Sequence, residues 1–144
     1  MFPIIVGHNV KLWFSINDFF LGFIVSIVIL LPYYIVFSPS PPHLEGEGWV
    51  RGIIFQLLII SLPEEFFFRG FLQDSIGRNF KAVLLVSLLF SIAHLPKAIF
   101  ADDWISLLSF FPSIMMGWLY MKTNNILPGI IFHFLANVVH NPSQ

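Results

Sequence analysis

Six ionisable or amide side chains interrupt the apolar stretches of this chain, and they fall in three short motifs, EEFFFR, FSIAH and HFLAN. Hydrocarbon is a costly environment for such groups, since a charge at the centre of a bilayer costs from ~2.5 to well over 10 kcal/mol. We therefore expect these groups to face one another and to do chemistry. The six residues are Glu64, Glu65, Arg69, His94, His133 and Asn137.

The composition is that of a membrane protein. Of the 144 residues, 57% are hydrophobic and 10% are charged, and the mean hydropathy is +0.84, whereas a soluble domain carries about 25% charged residues. Because there are too few polar groups to cover a globular surface, we predict an integral membrane protein surrounded by membrane lipids. The net charge of −1 argues against a nucleic-acid partner, and the lack of cysteine excludes disulfides and thiolate chemistry.

The lengths of the apolar runs predict the fold class. A spanning helix needs ~20 mainly apolar residues, and the chain has room for about five, without strand-like alternation. We predict one domain over 1–144, with a motif-bearing core at about 50–140. Its fold would be an all-α, polytopic transmembrane helix bundle with a polar active-site cavity inside the membrane. The predicted spans are 13–37, 49–72, 81–95, 104–121 and 126–140, with a loop at 38–48 and a turn at 73–80.

Two prolines and the basic residues refine this topology. Pro96 is expected to end the third span, and Pro128 to lie in the first turn of the last helix. The bias of Lys and Arg predicts that the N-terminus lies inside, and we expect no removable signal peptide. With a rise of about 1.5 Å per residue, the three motifs then lie at a similar depth. The inner segments hold Lys11, Arg78, Lys81 and Lys122.

The first motif predicts different roles for its two acids. Glu65 and Arg69 are four residues apart, so they share a helix face in the order that favours an ion pair. Glu64 is rotated by about 100° from Glu65, so we expect it to face the cavity and to act as a general base toward water. The alternative is that both acids only neutralise Arg69 in a packed bundle.

The other two motifs supply imidazole and amide groups. His94 follows Phe90 by four residues, and we expect it to orient the water that Glu64 activates, with Phe90 packed behind it. His133 and Asn137 also share a helix face and are expected to donate to the oxyanion of a tetrahedral intermediate, where one donor is worth ~3 kcal/mol. The alternatives are a His94 bonded to a nearby carbonyl and, for the last motif, hydrogen bonds that only join helices.

A zinc site is the main alternative to catalysis without a cofactor. Glu64, His94 and His133 have the ligand types of a two-His, one-carboxylate zinc site with an open fourth position. The chain has no HExxH motif, and the three ligands would come from separate helices. We therefore favour water activation without metal. The serines of the apolar runs lack the G-x-S-x-G context of a nucleophile.

In type and order, the motifs resemble EExxxR, FxxxH and HxxxN of the CAAX protease and bacteriocin-processing (CPBP, or ABI) family of glutamic intramembrane endopeptidases. The extension GFLQ after Arg69 is also similar to that family, and the resemblance covers about 52–140. It implies an all-α membrane bundle with an intramembrane cavity. It also implies that Glu64 and His94 activate water and that His133 and Asn137 stabilise the oxyanion. Glu65 and Arg69 would be mainly structural.

We therefore expect an intramembrane endopeptidase of a prokaryotic cytoplasmic membrane that cleaves a membrane-associated protein or peptide. The resemblance allows C-terminal sorting signals, CAAX-like sequences or bacteriocins as substrates, and a short chain fits sorting signals slightly better than bacteriocin immunity. Many family members have more spans, so completion of the cavity by a second copy or a partner subunit stays open. The alternative is a non-catalytic immunity or scaffold protein that binds peptides in the membrane.

Overall fold

The computed structural model describes residues 12–37 and 48–140, and this part of the chain forms helices and no strands. Five helices follow one another, which confirms the predicted all-α fold class. The predicted loop lies outside the described residues except for Gly48, and so does Lys11. The helices are α1 (Ile16–Phe37), α2 (48–76), α3 (Phe80–Phe100), α4 (Trp104–Thr123) and α5 (Leu127–His140).

The distribution of side chains suits lipid and not water. Helices α1, α3 and α4 are long and apolar enough to cross a membrane, α5 is a shorter apolar helix, and α2 carries the charged first motif. Large apolar side chains point outward, as Phe14 (76% exposed) and Phe100 (88% exposed) illustrate. The interior holds polar side chains beside apolar ones, as expected for an integral membrane protein. The buried polar residues include Glu65, Arg69, Gln73, Ser113, Asn125 and His133.

Helix α2 alternates between α-helical and π-helical winding. π-helical turns are rare and occur frequently at functional sites. Pro63 has no N–H to donate to the preceding turn, which favours a change of winding there. The helix passes the predicted end at 72 because its turn comes only at Gly77, whose φ of 131° suits glycine. The α-helical parts are Gly48–Phe55, Leu62–Glu65 and Asp74–Ile76, and the π-helical parts are Gln56–Ser61 and Phe66–Gln73.

Helix α3 does not end at Pro96, so that prediction was wrong. The part Phe80–Ala93 breaks at His94, whose ψ of −3° departs from helical winding, and Leu95–Phe100 continues the helix. Pro96 lies in the first turn of this second part, where its missing N–H leaves no hydrogen bond unmade. As a result, His94 lies at a break within the helix.

Helices α1 and α5 run parallel and in close contact. Asn125, just before α5, donates from Nδ2 to Asp18 Oδ2 at 2.9 Å near the start of α1. Further along both helices, Gly22 packs against the backbone of Pro128. A Cβ at Gly22 would lie 2.8 Å from the Cα and the carbonyl oxygen of Pro128. The approach of the two helices therefore depends on glycine at this position.

Helix α4 is fastened to both α2 and α3. Gln73 Nε2 on α2 donates to Gly117 O at 2.8 Å, and Ser91 Oγ on α3 donates to Leu107 O at 2.7 Å.

Asp103 lies in the loop between α3 and α4. A hydrogen bond from Lys97 on α3 lowers the pKa of the Asp103 carboxyl.

A buried ion pair lies at the centre of the bundle. Arg69 Nη1 donates to Glu65 Oε1 at 2.9 Å, at the i,i+4 spacing, and the two side chains are 1% and 0% exposed. Arg69 Nη2 donates to Ser113 Oγ on α4 at 2.7 Å. Its Cζ lies 4.9 Å from the ring centroid of Phe90 on α3, within cation–π distance. Arg69 therefore joins α2, α3 and α4.

Replacing Gly22 with Ala is expected to lower the Tm in detergent, because the added methyl group would collide with the Pro128 backbone. Over-packing of this kind costs ~1–3 kcal/mol. Gly48→Ala is the matched control, since no heavy atom of the described residues lies within 4 Å of a Cβ there. Equal Tm values for the two variants would contradict the close packing of α1 against α5.

Replacing Arg69 with Leu is expected to lower the free energy of unfolding by ~3–5 kcal/mol, because it leaves the buried charge of Glu65 without its guanidinium partner. Equilibrium unfolding in mixed micelles measures the loss. Ser113→Ala, which removes one hydroxyl acceptor from the guanidinium, is expected to cost only ~1.5–3 kcal/mol. An Arg69→Leu variant as stable as the wild type would show that the ion pair does not hold the bundle.

Candidate active site

His133 is the residue at which the first and third motifs meet. Its Nδ1–H donates to Glu65 Oε1 at 3.1 Å, and its Nε2 lies 3.6 Å from Glu64 Oε2. The imidazole is buried, with 6% of its side chain exposed. Two carboxylates of α2 therefore flank the His133 imidazole of α5. Only the Glu65 carboxylate is hydrogen-bonded to it.

Glu65 is the fixed carboxylate of this pair. It is fully buried, and its Oε1 accepts from both Arg69 and His133. Since an ionised carboxylate can only accept, this contact places a proton on His133 Nδ1. The other oxygen, Oε2, lies against Gly129, where an added Cβ would be 2.5 Å away. Glycine at 129 therefore allows Glu65 to reach α5.

Glu64 is the accessible carboxylate. Its side chain is 35% exposed, while its Oε2, which is itself buried, has no hydrogen-bond partner among the described residues. The 3.6 Å to His133 Nε2 is too long for a hydrogen bond. Glu65 Oε2 is also buried without a hydrogen-bond partner among the described residues, so the two acids differ in the exposure of their side chains and not in having an unpaired oxygen.

His94 occupies the break in α3 and is half-buried. Its Nδ1–H donates to Phe90 O at 2.9 Å. A bond to a nearby carbonyl was the alternative to a role of His94 in orienting water. In a neutral ring this tautomer leaves Nε2 as an acceptor. The bond therefore orients the imidazole and keeps Nε2 available, so it is compatible with a role in holding water.

The ring of Phe90 connects the second motif to the other two. Its centroid lies 4.9 Å from that of His94 and 5.7 Å from that of His133. The side chain is 2% exposed and also contacts the Arg69 guanidinium. Phe90 therefore packs between both imidazoles and the central cation, and the three motifs form one cluster.

Asn137 is paired with a residue outside the motifs. Its Nδ2 donates to Gln56 Oε1 at 3.2 Å, from α5 to α2. A carboxamide has two N–H groups, so a second one remains for a substrate. Because Gln56 precedes Glu65 while Asn137 follows His133, the two contacts also show that α2 and α5 are antiparallel.

Sequence reasoning missed three residues that contact the motif side chains, namely Gln56, Ser113 and Gly129. Gln56 carried a signal, because it is a lone amide in the apolar run GIIFQLLII. Ser113 and Gly129 are small residues whose importance comes only from what the packing places beside them. No local pattern distinguishes them from other small residues of apolar helices.

A pocket of about 350 Å³ opens next to this cluster and shares Gln56 with it. All four of its described lining residues belong to α2, so the pocket lies along that helix. The pocket is lined by Arg51, Gly52, Phe55 and Gln56.

Metal binding was the alternative chemistry for Glu64, His94 and His133. Among residues 12–37 and 48–140, no three His, Cys, Asp or Glu side chains form a group that could hold a metal ion. The zinc site stays a prediction that metal analysis can test.

The chain is similar to two curated bacterial proteins. It is 27% identical over 148 residues to "Uncharacterized protein YpbD" of Bacillus subtilis (strain 168), over 93% of this chain and 74% of that protein. It is 31% identical over 81 residues to "UPF0177 protein YxdF" of Lactococcus lactis subsp. lactis (strain IL1403), over 56% of this chain and 43% of that protein. No solved structure matches the chain.

A protein-family model also matches the chain. The model described as "Type II CAAX prenyl endopeptidase Rce1-like" matches residues 46–139, a segment that contains all three motifs. The match confirms the resemblance that the motifs indicated, and at the level of the family the function is that of an intramembrane CAAX-type protease. Because the match covers more than half of the 144 residues, the chain belongs to the Rce1-like family of type II CAAX prenyl endopeptidases.

Proposed function

We propose that this protein is a glutamic intramembrane endopeptidase, in which Glu64 activates a water that hydrolyses a peptide bond. The observation that carries the proposal is the His133 ring held between the two carboxylates of the first motif. One of these, Glu65, is buried and bonded twice. The other, Glu64, has a partly exposed side chain, so of the two acids it is the one that water can reach, as a general base requires.

In this mechanism the water is held by Glu64 and His94. Glu64 takes a proton from the water, and the resulting hydroxide attacks the carbonyl carbon of the scissile peptide bond. His94 orients the water through Nε2, which its bond to Phe90 O leaves as an acceptor. When the C–N bond breaks, Glu64 returns the proton to the leaving amine and regains its charge.

His133 and Asn137 hold the oxyanion. His133 Nδ1–H is engaged by Glu65, so donation to the oxyanion comes from Nε2–H and requires an imidazolium. With that imidazolium, the cluster of two carboxylates, Arg69 and His133 is neutral at rest. Once Glu64 has accepted its proton, the cluster carries one net positive charge, which the oxyanion balances. Electrostatic stabilisation of this kind usually contributes more to the rate of such reactions than any other single effect.

The remaining motif residues support this arrangement. Glu65 orients the His133 ring, Arg69 compensates the charge of Glu65, and Phe90 packs against both imidazoles. The proposed mechanism uses no cofactor.

The proposed substrate is a membrane-associated protein or peptide whose cleavable segment enters the bundle. C-terminal sorting signals and CAAX-like sequences are the two classes we propose, the second because of the description of the matching family. Both similar proteins are bacterial, which supports a prokaryotic cytoplasmic membrane, and we propose that the N-terminus lies inside. A second copy or a partner subunit could complete the substrate cavity.

Replacing Glu64 with Gln is expected to lower the cleavage rate by roughly 10²–10⁴-fold, because an amide cannot accept the proton of water. The assay uses purified protein in liposomes with three internally quenched peptides. One is a farnesylated CAAX peptide, one is the same peptide without the lipid, and one carries an apolar C-terminal tail. Asp102→Asn, the same change at an exposed loop acid, is the matched control and is expected to retain full activity.

Wild-type turnover by the Glu64→Gln variant would overturn the glutamate mechanism. Binding of a peptide by the wild type without cleavage of any would favour the immunity or scaffold alternative. Dialysis against a chelator, followed by metal analysis, is expected to leave activity unchanged. Loss of activity that zinc restores would assign the reaction to a metal site at Glu64, His94 and His133.

A further inference from the structure

We infer that Gln56 is a positioning residue for Asn137, holding its carboxamide in the orientation in which it donates to the oxyanion. The inference rests on the proposed function and adds to it a residue outside all three motifs. Gln56 lies on α2, two helical turns before Glu64, and its Oε1 accepts a hydrogen bond from Asn137 Nδ2 at 3.2 Å.

Each oxyanion donor on α5 is paired with one polar side chain of α2. His133 donates to Glu65 at 3.1 Å, and Asn137 donates to Gln56 at 3.2 Å. The first contact fixes the orientation of the His133 ring, and the second fixes the orientation of an amide. Each contact leaves one N–H group without a partner on α2, Nε2–H in His133 and the second amide N–H in Asn137. Each contact therefore orients an N–H group that can donate to the oxyanion.

The chemistry of an asparagine side chain makes such a partner necessary. The terminal torsion of Asn is broad, so an amide without a partner samples many orientations. Once one N–H donates to Gln56, the planar carboxamide directs its second N–H along a defined line. Donors that are oriented before the reaction stabilise a developing oxyanion without a cost of reorganisation. A neutral glutamine provides this orientation without adding another charge to the membrane interior.

The surroundings of Gln56 differ from those of a purely structural glutamine on the same helix. Gln73 is fully buried, and its Nε2 joins α2 to a backbone carbonyl, that of Gly117. Gln56 is only half-buried, lines the pocket of about 350 Å³ and pairs with a motif side chain. Gln56 is therefore bonded to a motif side chain on one side and faces open space on the other.

A double-mutant cycle in the peptide-cleavage assay tests the inference, with the panel peptide that the wild type cleaves fastest. Gln56→Leu keeps the approximate size of the side chain and removes its acceptor. We expect kcat to fall by roughly 10- to 100-fold, the loss typical of a misplaced catalytic group, with little change in KM. In the Asn137→Ala background the same change is expected to have no further effect on kcat, because there is no amide left to orient.

Two further variants separate positioning from stability. Gln56→Glu keeps an acceptor oxygen at the same reach and is expected to recover most of the lost kcat. Gln73→Leu is the matched control, since it removes a glutamine hydrogen bond from the same helix. It is expected to lower the Tm and to leave the kcat of the folded protein unchanged. An unchanged kcat in Gln56→Leu, or equal losses with and without Asn137, would overturn the inference.

A measurement without turnover keeps this test independent of the proposed reaction. Asparagine labelled with ¹⁵N at the side chain, with Asn137→Asp to assign the signal, reports the bond in lipid bilayers. The Asn137 amide proton that donates to Gln56 is expected to resonate downfield, and Gln56→Leu is expected to remove this shift. A signal that Gln56→Leu does not move would overturn the inference even if Glu64→Gln is inactive. Full activity in Glu64→Gln would instead refute the mechanism and leave this bond observable.

Discussion

One buried carboxylate, shared by a guanidinium and an imidazole, is the constraint on which the rest of this protein depends. Glu65 accepts from Arg69 on its own helix and from His133 on α5. Between apolar helices in lipid there is little hydrophobic driving force, so packing and polar contacts decide how the helices associate. Because a buried charge that loses its partner costs several kcal/mol, this contact fixes both the register and the facing sides of α2 and α5.

The same constraint separates the roles of two neighbouring acids. Glu65 is fully buried, whereas the side chain of Glu64 is 35% exposed. The structural acid compensates Arg69 and orients His133, which leaves Glu64 beside the Nε2 side of that ring. Two carboxylates in different environments are a common way for one site to combine a fixed charge with a proton acceptor. In the proposed mechanism, the cluster is neutral at rest and gains a positive charge when Glu64 is protonated, which suits an oxyanion intermediate.

The sequence predicts the parts of this arrangement that lie within one helix. The pairing of Glu65 with Arg69 follows from their i,i+4 spacing, and the helical class follows from the apolar runs. Contacts between helices follow from packing, and so the bond from Asn137 to Gln56 had only a weak signal. The close approach of Glu65 to Gly129 had no signal at all. Pro96 misled because proline fits both the residue after a helix and the first turn of a new one, and the chain continues as a helix there.

The state of the His133 ring tests the central claim most directly. Nitrogen-15 NMR of histidine-labelled protein in bilayers reports this state, with His133→Gln to assign the signals. The arrangement described here predicts a protonated Nδ1 in a hydrogen bond to a carboxylate, and a marked change of its shift when Glu65 is replaced by Gln. An unprotonated Nδ1, or a signal that does not respond to Glu65→Gln, would contradict it.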